Sequence, residues 1–77
     1  MGSETVLQTA LLVGAKDVAK LLGVSVRSVW NMHQTGALGP LPIRLGARTL
    51  WRTADIEAWV RLGCPNRERW TDMQESN

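Results

Sequence analysis

Hydrophobic and polar residues follow one another along this chain with changing period, and each change marks a boundary. Met1 to Thr9 shows no periodicity, which predicts a loose N-terminal segment. Leu11-Leu12-Val13 then reads as a short extended lead-in ending at Gly14. From Ala15 the period is helical: Val18, Ala19 and Leu22 share one face, while Lys16, Asp17 and Lys20 lie on the other. Gly23 stops this helix, since glycine takes a left-handed C-terminal conformation at least cost. Ser25 offers its hydroxyl as N-cap to a second helix, about Val26 to Thr35, with Val29, Met32 and His33 on its inner face and Gly36 at its end. Only Gly23 to Ser25 separate the two helices, so they must cross steeply, as a helix-turn-helix.

Beyond Gly36 the pattern changes again. Gly39-Pro40-Leu41-Pro42 forbids helix, because proline lacks the N–H and biases its predecessor toward extended geometry. Ile43-Arg44-Leu45 and Arg48-Thr49-Leu50-Trp51-Arg52 alternate around Gly46-Ala47, which predicts a tight hairpin. One face is expected to carry Ile43, Leu45, Thr49 and Trp51, and the other Arg44, Arg48, Leu50 and Arg52; the turn type leaves a shift of one residue open. Thr53 reads as the N-cap of a third helix, with Asp55 and Glu57 in a first turn where the helix dipole favours anions. Ile56, Trp59 and Val60 form its predicted buried stripe, and Gly63 with Pro65 closes it. Asn66 is a candidate cap for a short fourth helix bearing Trp70, which either docks this tail onto the domain or contacts a partner subunit. The expected organisation is a flexible 1–10, a winged helix-turn-helix domain over 11–63 and a tail over 64–77. The fold class is mainly α with a small β-hairpin.

Composition narrows the functional classes. A chain of 77 residues supports one small core, and 44% hydrophobic with 21% charged residues is the balance of an ordinary soluble protein. Its apolar runs fall far short of the ~20 residues that cross a bilayer, and no signal peptide is read at the N-terminus. A cytoplasmic protein with no membrane partner is therefore expected. The single cysteine, Cys64, gives no internal disulfide or multi-thiolate site, and the single histidine, His33, gives no histidine-based zinc site. No cofactor or metal is expected. The net charge of +2 conceals an asymmetry. Residues 14–52 carry Lys16, Lys20, Arg27, Arg44, Arg48 and Arg52 against Asp17 alone, a net +5, whereas residues 53–77 carry a net −2. A basic middle segment of this kind suits a polyanion.

Three positions carry the helix-turn-helix pattern. Ala19 stands where the helices approach closely, Gly23 in the turn, and Val29 in the angle between the helices, at spacings of 4 and 6. Val18-Ala19, Leu21-Leu22-Gly23-Val24-Ser25 and Ser28-Val29-Trp30 resemble the first part of the AlpA/excisionase-type family, small MerR-like winged helix-turn-helix proteins. Gly36-Ala37-Leu38, Ile43-Arg44-Leu45-Gly46, Trp51-Arg52 and Asp55-Ile56-Glu57-Ala58-Trp59 resemble the rest of its signature, over about residues 11–62. The resemblance implies a phage- or mobile-element-associated regulator or recombination directionality factor. Gly14 departs from the Thr or Ser that the family often has before the first helix. Arg27 is the lone basic residue in a second helix that usually carries more.

On this reading the second helix lies in the major groove of double-stranded DNA. Its outer face presents Arg27, Trp30, Asn31 and Gln34. Arg27 suits guanine O6/N7, and Asn31 or Gln34 suits adenine N6/N7. Ser28 and the N–H groups at the helix start can hold a phosphate. The hairpin, 42–52, acts as a wing whose Arg44 and Arg48, then Arg52, reach phosphates or the minor groove. Lys16 and Lys20 can touch phosphates or simply be solvated, and Trp30 can lie on the sugar–phosphate backbone or pack against the wing. His33 is expected in the core or at its boundary, and Trp51 and Trp59 inside it. One recognition helix and a wing bury a modest area, so self-association or cooperative rows are expected on DNA. No catalytic constellation is present, and the chain is expected not to be an enzyme. The uses left open are transcription regulation, an excisionase role beside an integrase, and a protein–protein adaptor, such as a packaging or antitoxin-like subunit, docking a partner through Trp70.

Overall fold

A computed structural model describes residues 10–75; the expected loose segment Met1 to Thr9 lies outside the described residues. The elements run β1 (Leu12–Val13), α1 (Ala15–Leu22), α2 (Val26–Thr35), β2 (Ile43–Leu45), β3 (Arg48–Arg52), α3 (Thr53–Arg61) and α4 (Arg67–Glu75). Four helices thus enclose a small three-stranded antiparallel sheet of order β1-β3-β2. No helix among the described residues is long and apolar enough to cross a membrane.

The helix-turn-helix forms as its residue types require. Gly23 is left-handed (φ +74°), and the N–H groups of Gly23 and Val24 return to the carbonyls of Lys20 and Ala19, closing α1. Two residues later the Ser25 hydroxyl accepts from the Ser28 N–H at 3.0 Å and caps α2. Ala19 and Val29 are both buried, in the angle between the two helices. At the far end of α2, Gly36 (φ +83°) turns the chain, and the Leu38 N–H reaches the Met32 carbonyl at 2.9 Å. A single cluster of Val13, Val18, Ala19, Val29, Leu38, Trp51, Ile56, Trp59 and Trp70 fills the interior.

The hairpin is present, but its faces differ from the expected ones. Leu45 pairs with Arg48 across a two-residue turn, so Ile43 faces Leu50 and Arg44 faces Thr49. Cross-strand partners and residues two apart share a sheet face. Ile43, Leu45, Arg48, Leu50 and Arg52 therefore stand on one face, and Arg44, Thr49 and Trp51 on the other. Polarity misled because β3 is the middle strand and is buried on both sides: Leu50 is 7% exposed and Trp51 is fully buried. The second neighbour is β1, through Leu12↔Arg52 and Val13↔Trp51.

Two expectations for α3 also need correction. Thr53 makes no side-chain cap; its N–H donates to the Leu11 carbonyl at 3.0 Å, and its hydroxyl is drawn into the interior. The strand continues into the helix without a loop, so the pairing with the β1 side takes the place of a cap. Val60 is 47% exposed, and the buried residues of α3 are Thr53, Ile56 and Trp59. The expected fourth helix is present. Its Asn66 side chain accepts from the Arg69 N–H at 3.0 Å. Trp70 is 6% exposed and belongs to the core cluster.

Candidate nucleic-acid interface

α2 presents its outer face because its inner one is occupied. Val29 is fully buried, and Met32 and His33 are half-buried, whereas Arg27, Asn31 and Gln34 are exposed at i, i+4 and i+7. These three side chains form one line along the helix. Arg27 lies in the first turn, which holds no acidic residue.

Ser28 is half-buried, and its environment differs from the simple picture of a phosphate cradle. Its N–H is taken up by the Ser25 cap, and its hydroxyl oxygen accepts from the Ser25 hydroxyl at 3.0 Å. The hydroxyl proton of Ser28 and the orphan first-turn N–H groups of Val26 and Arg27 are what remain for an anion.

Trp30 is 40% exposed and lies on the flank of α2 that meets the sheet. Its ring centroid is 5.6 Å from that of Trp51 and 6.1 Å from the His33 imidazole, which itself stands edge-on to Trp51 at 5.9 Å. α2 and the hairpin therefore meet through three rings, in tilted and edge-to-face arrangements, the latter favoured by aromatic quadrupoles. Trp51 is anchored further by its indole N–H, which donates to the Pro40 carbonyl at 3.2 Å.

The basic side chains of the hairpin do not stand together as one set. Arg44 is exposed on the sheet face of Trp51, the face that α2 packs against. Arg48 is exposed beside the turn, on the opposite face. Arg52 stands at the other end of β3 and shares its guanidinium with Asp55, 3.4 Å from the carboxylate. Lys16 and Lys20 are exposed one turn apart on α1.

His33 carries a feature that sequence reasoning did not find. Arg67 of α4 approaches it, with Nη2 3.0 Å from Nδ1. Burial first, and then the Arg67 charge, hold the imidazole below its usual pKa. The two residues are 34 positions apart, and no local pattern links them.

Comparison with curated proteins found no match, and neither did comparison with solved structures. Residues 12–61 match a protein family described as a helix-turn-helix domain. That segment holds β1, both helices of the motif, the hairpin and α3, and covers more than half of the chain. A helix-turn-helix domain implies DNA as partner, and such families are typically non-enzymatic. The chain belongs to this helix-turn-helix family, which includes excisionase-like DNA-binding proteins.

Proposed function

We propose that this protein is a non-catalytic, sequence-specific binder of double-stranded DNA that serves a phage or mobile element as a transcription regulator. The observation that carries the reading is the exposed line Arg27, Asn31 and Gln34 on a capped helix inside a matched helix-turn-helix segment. Arg27 has the fork that suits guanine, and Asn31 and Gln34 have the paired donor and acceptor that suit adenine. Arg44 and Arg48, on either face of the hairpin, serve adjacent phosphates or a minor groove. Arg52 is a weaker candidate than its exposure suggests, because the Asp55 carboxylate, 3.4 Å away, competes with a phosphate for it. Lys16 and Lys20 add sequence-independent attraction.

A second use is supported by the family itself, which includes excisionase-like proteins. In that role the chain lines up cooperatively along attachment-site DNA and biases an integrase. A protein–protein adaptor has less support, since Trp70, the side chain offered for docking a partner, is in the chain's own core.

Selection from a random duplex pool at near-physiological salt tests the reading. An enriched motif supports sequence-specific binding, and repeats at fixed spacing favour the excisionase-like use. Arg27→Ala should relax the preference at one base pair, by about 1–3 kcal/mol, whereas Arg48→Ala should weaken all duplexes alike and lower the salt slope by about 1. If the double variant retained parental affinity, the assignment of helix and wing would be wrong.

A further inference from the structure

Residues 62–77 lie beyond the matched family segment, yet α4 returns to the C-terminal end of the recognition helix. The Arg67 N–H donates to the Gly36 carbonyl at 2.8 Å, just after α2 ends. The Arg67 side chain donates through Nη2 to the Leu38 carbonyl at 3.0 Å, and the same nitrogen lies 3.0 Å from His33 Nδ1. Arginine carries donors only, so Nδ1 must be the acceptor and the imidazole proton must sit on Nε2. His33 in turn stands against both Trp30 and Trp51. A continuous set of contacts thus runs from α4 through His33 to the exposed indole of α2 and to the hairpin. The base of α4 is firm: Trp70 is buried, and a Cβ on Gly39 would stand 2.9 Å from the Trp70 Cβ and 2.8 Å from the Trp59 indole nitrogen.

We propose that α4 is a strap that sets the pose of the recognition helix, with Arg67 as a positioning residue that acts through His33 and touches no DNA. The inference rests on the DNA-binding reading above, and it adds a residue outside the motif to the determinants of specificity. The side chain of Arg67 turns Nη2 inward to Leu38 and His33, and its Nε is buried without a hydrogen-bond partner among the described residues, so the guanidinium is committed to the protein interior. A residue of this kind should govern the ratio of specific to non-specific affinity, not the electrostatic component common to both.

Arg67→Met and His33→Phe test this, the second keeping a ring among the indoles while removing the acceptor. Each should lower affinity for the selected duplex about tenfold, and leave affinity for an unrelated duplex and the salt slope unchanged. The double variant should lose no more than either single one, as residues acting through one contact do. Equal losses on both duplexes, a salt slope reduced by about 0.9, or additive losses would overturn the strap. Nuclear magnetic resonance of the free protein separates this from the functional reading. Parental His33 should show the Nε2–H form, and Arg67→Met should shift the amides of residues 26–35. A parental Nδ1–H form, or amide shifts confined to α4, would refute the strap whether or not DNA binds. Absence of binding by the parent, with those amide shifts present, would instead refute the functional reading.

Discussion

At the scale of single residues, two glycines show how differently the same residue type can be required. Gly23 has a positive φ and nothing within 4 Å of where a Cβ would stand. Gly39 has no positive φ, but a Cβ there would meet Trp59 and Trp70 within 3 Å. Gly23→Ala is therefore expected to cost about 1–2 kcal/mol through backbone strain alone. Gly39→Ala should cost about 1–3 kcal/mol by overpacking, and should loosen α4 because the Trp70 Cβ cannot swing aside. Denaturant midpoints, with amide exchange in α4 as the local readout, distinguish the two. Gly23 is legible in the sequence, since a helix must end where the next cap follows so soon. Gly39 is not, because Trp59 and Trp70 approach it from 20 and 31 positions away.

Elements were legible where local chemistry decides them. Both helices of the motif, their glycine ends, the Ser25 cap, the hairpin turn and the Asn66 cap all follow from short-range patterns. The failures concern tertiary surroundings. The hairpin faces were misassigned because β1 makes β3 an inner strand, and alternation of polarity has no meaning for a strand buried on both sides. Thr53 resembles Ser25 in sequence yet has the opposite energetic role. The Thr53 hydroxyl is buried with no hydrogen-bond partner among the described residues. Ser25→Ala should then destabilise by about 1 kcal/mol. Thr53→Val should be neutral or stabilising, because it removes an unsatisfied polar atom while nearly keeping the shape. Thermal unfolding of the two variants side by side checks the contrast. A large loss at Thr53 would show that its hydroxyl has a partner after all.

For the whole molecule, the candidate site was legible on α2 and only half legible on the hairpin. Arg27, Asn31 and Gln34 share an exposed face as periodicity requires. The division of Arg44 from Arg48 and the Arg67–His33 contact depend on how elements meet, and the pairing of Arg52 with Asp55 on how β3 runs straight into α3. The burial of His33, with the Arg67 charge beside it, gives the fold a pH dependence of defined sign. The folded chain holds His33 below its ordinary value, so the unfolded chain takes up the proton first as pH falls. The resulting stability is fully present above about pH 6.5, the value for a free imidazole. It is lost as pH falls through the folded-state value. The denaturant midpoint of the parent should decline relative to that of His33→Phe across this range, above the pH at which carboxylates titrate. Parallel curves would show that His33 is not held in its neutral form.

The meeting of three rings between helix and hairpin has an optical consequence. The chain contains neither Tyr nor Phe, so its near-ultraviolet absorbance and emission come from four indoles. Trp51, Trp59 and Trp70 are enclosed and should emit toward the blue, whereas Trp30 is 40% exposed beside an imidazole. Unfolding releases the first three into water together. On the proposed reading, a duplex laid along α2 first changes the surroundings of the exposed Trp30, whose ring stands 5.6 Å from that of Trp51. The protein thus carries its own optical reporters of folding and of occupancy, and both can be read without attaching a dye.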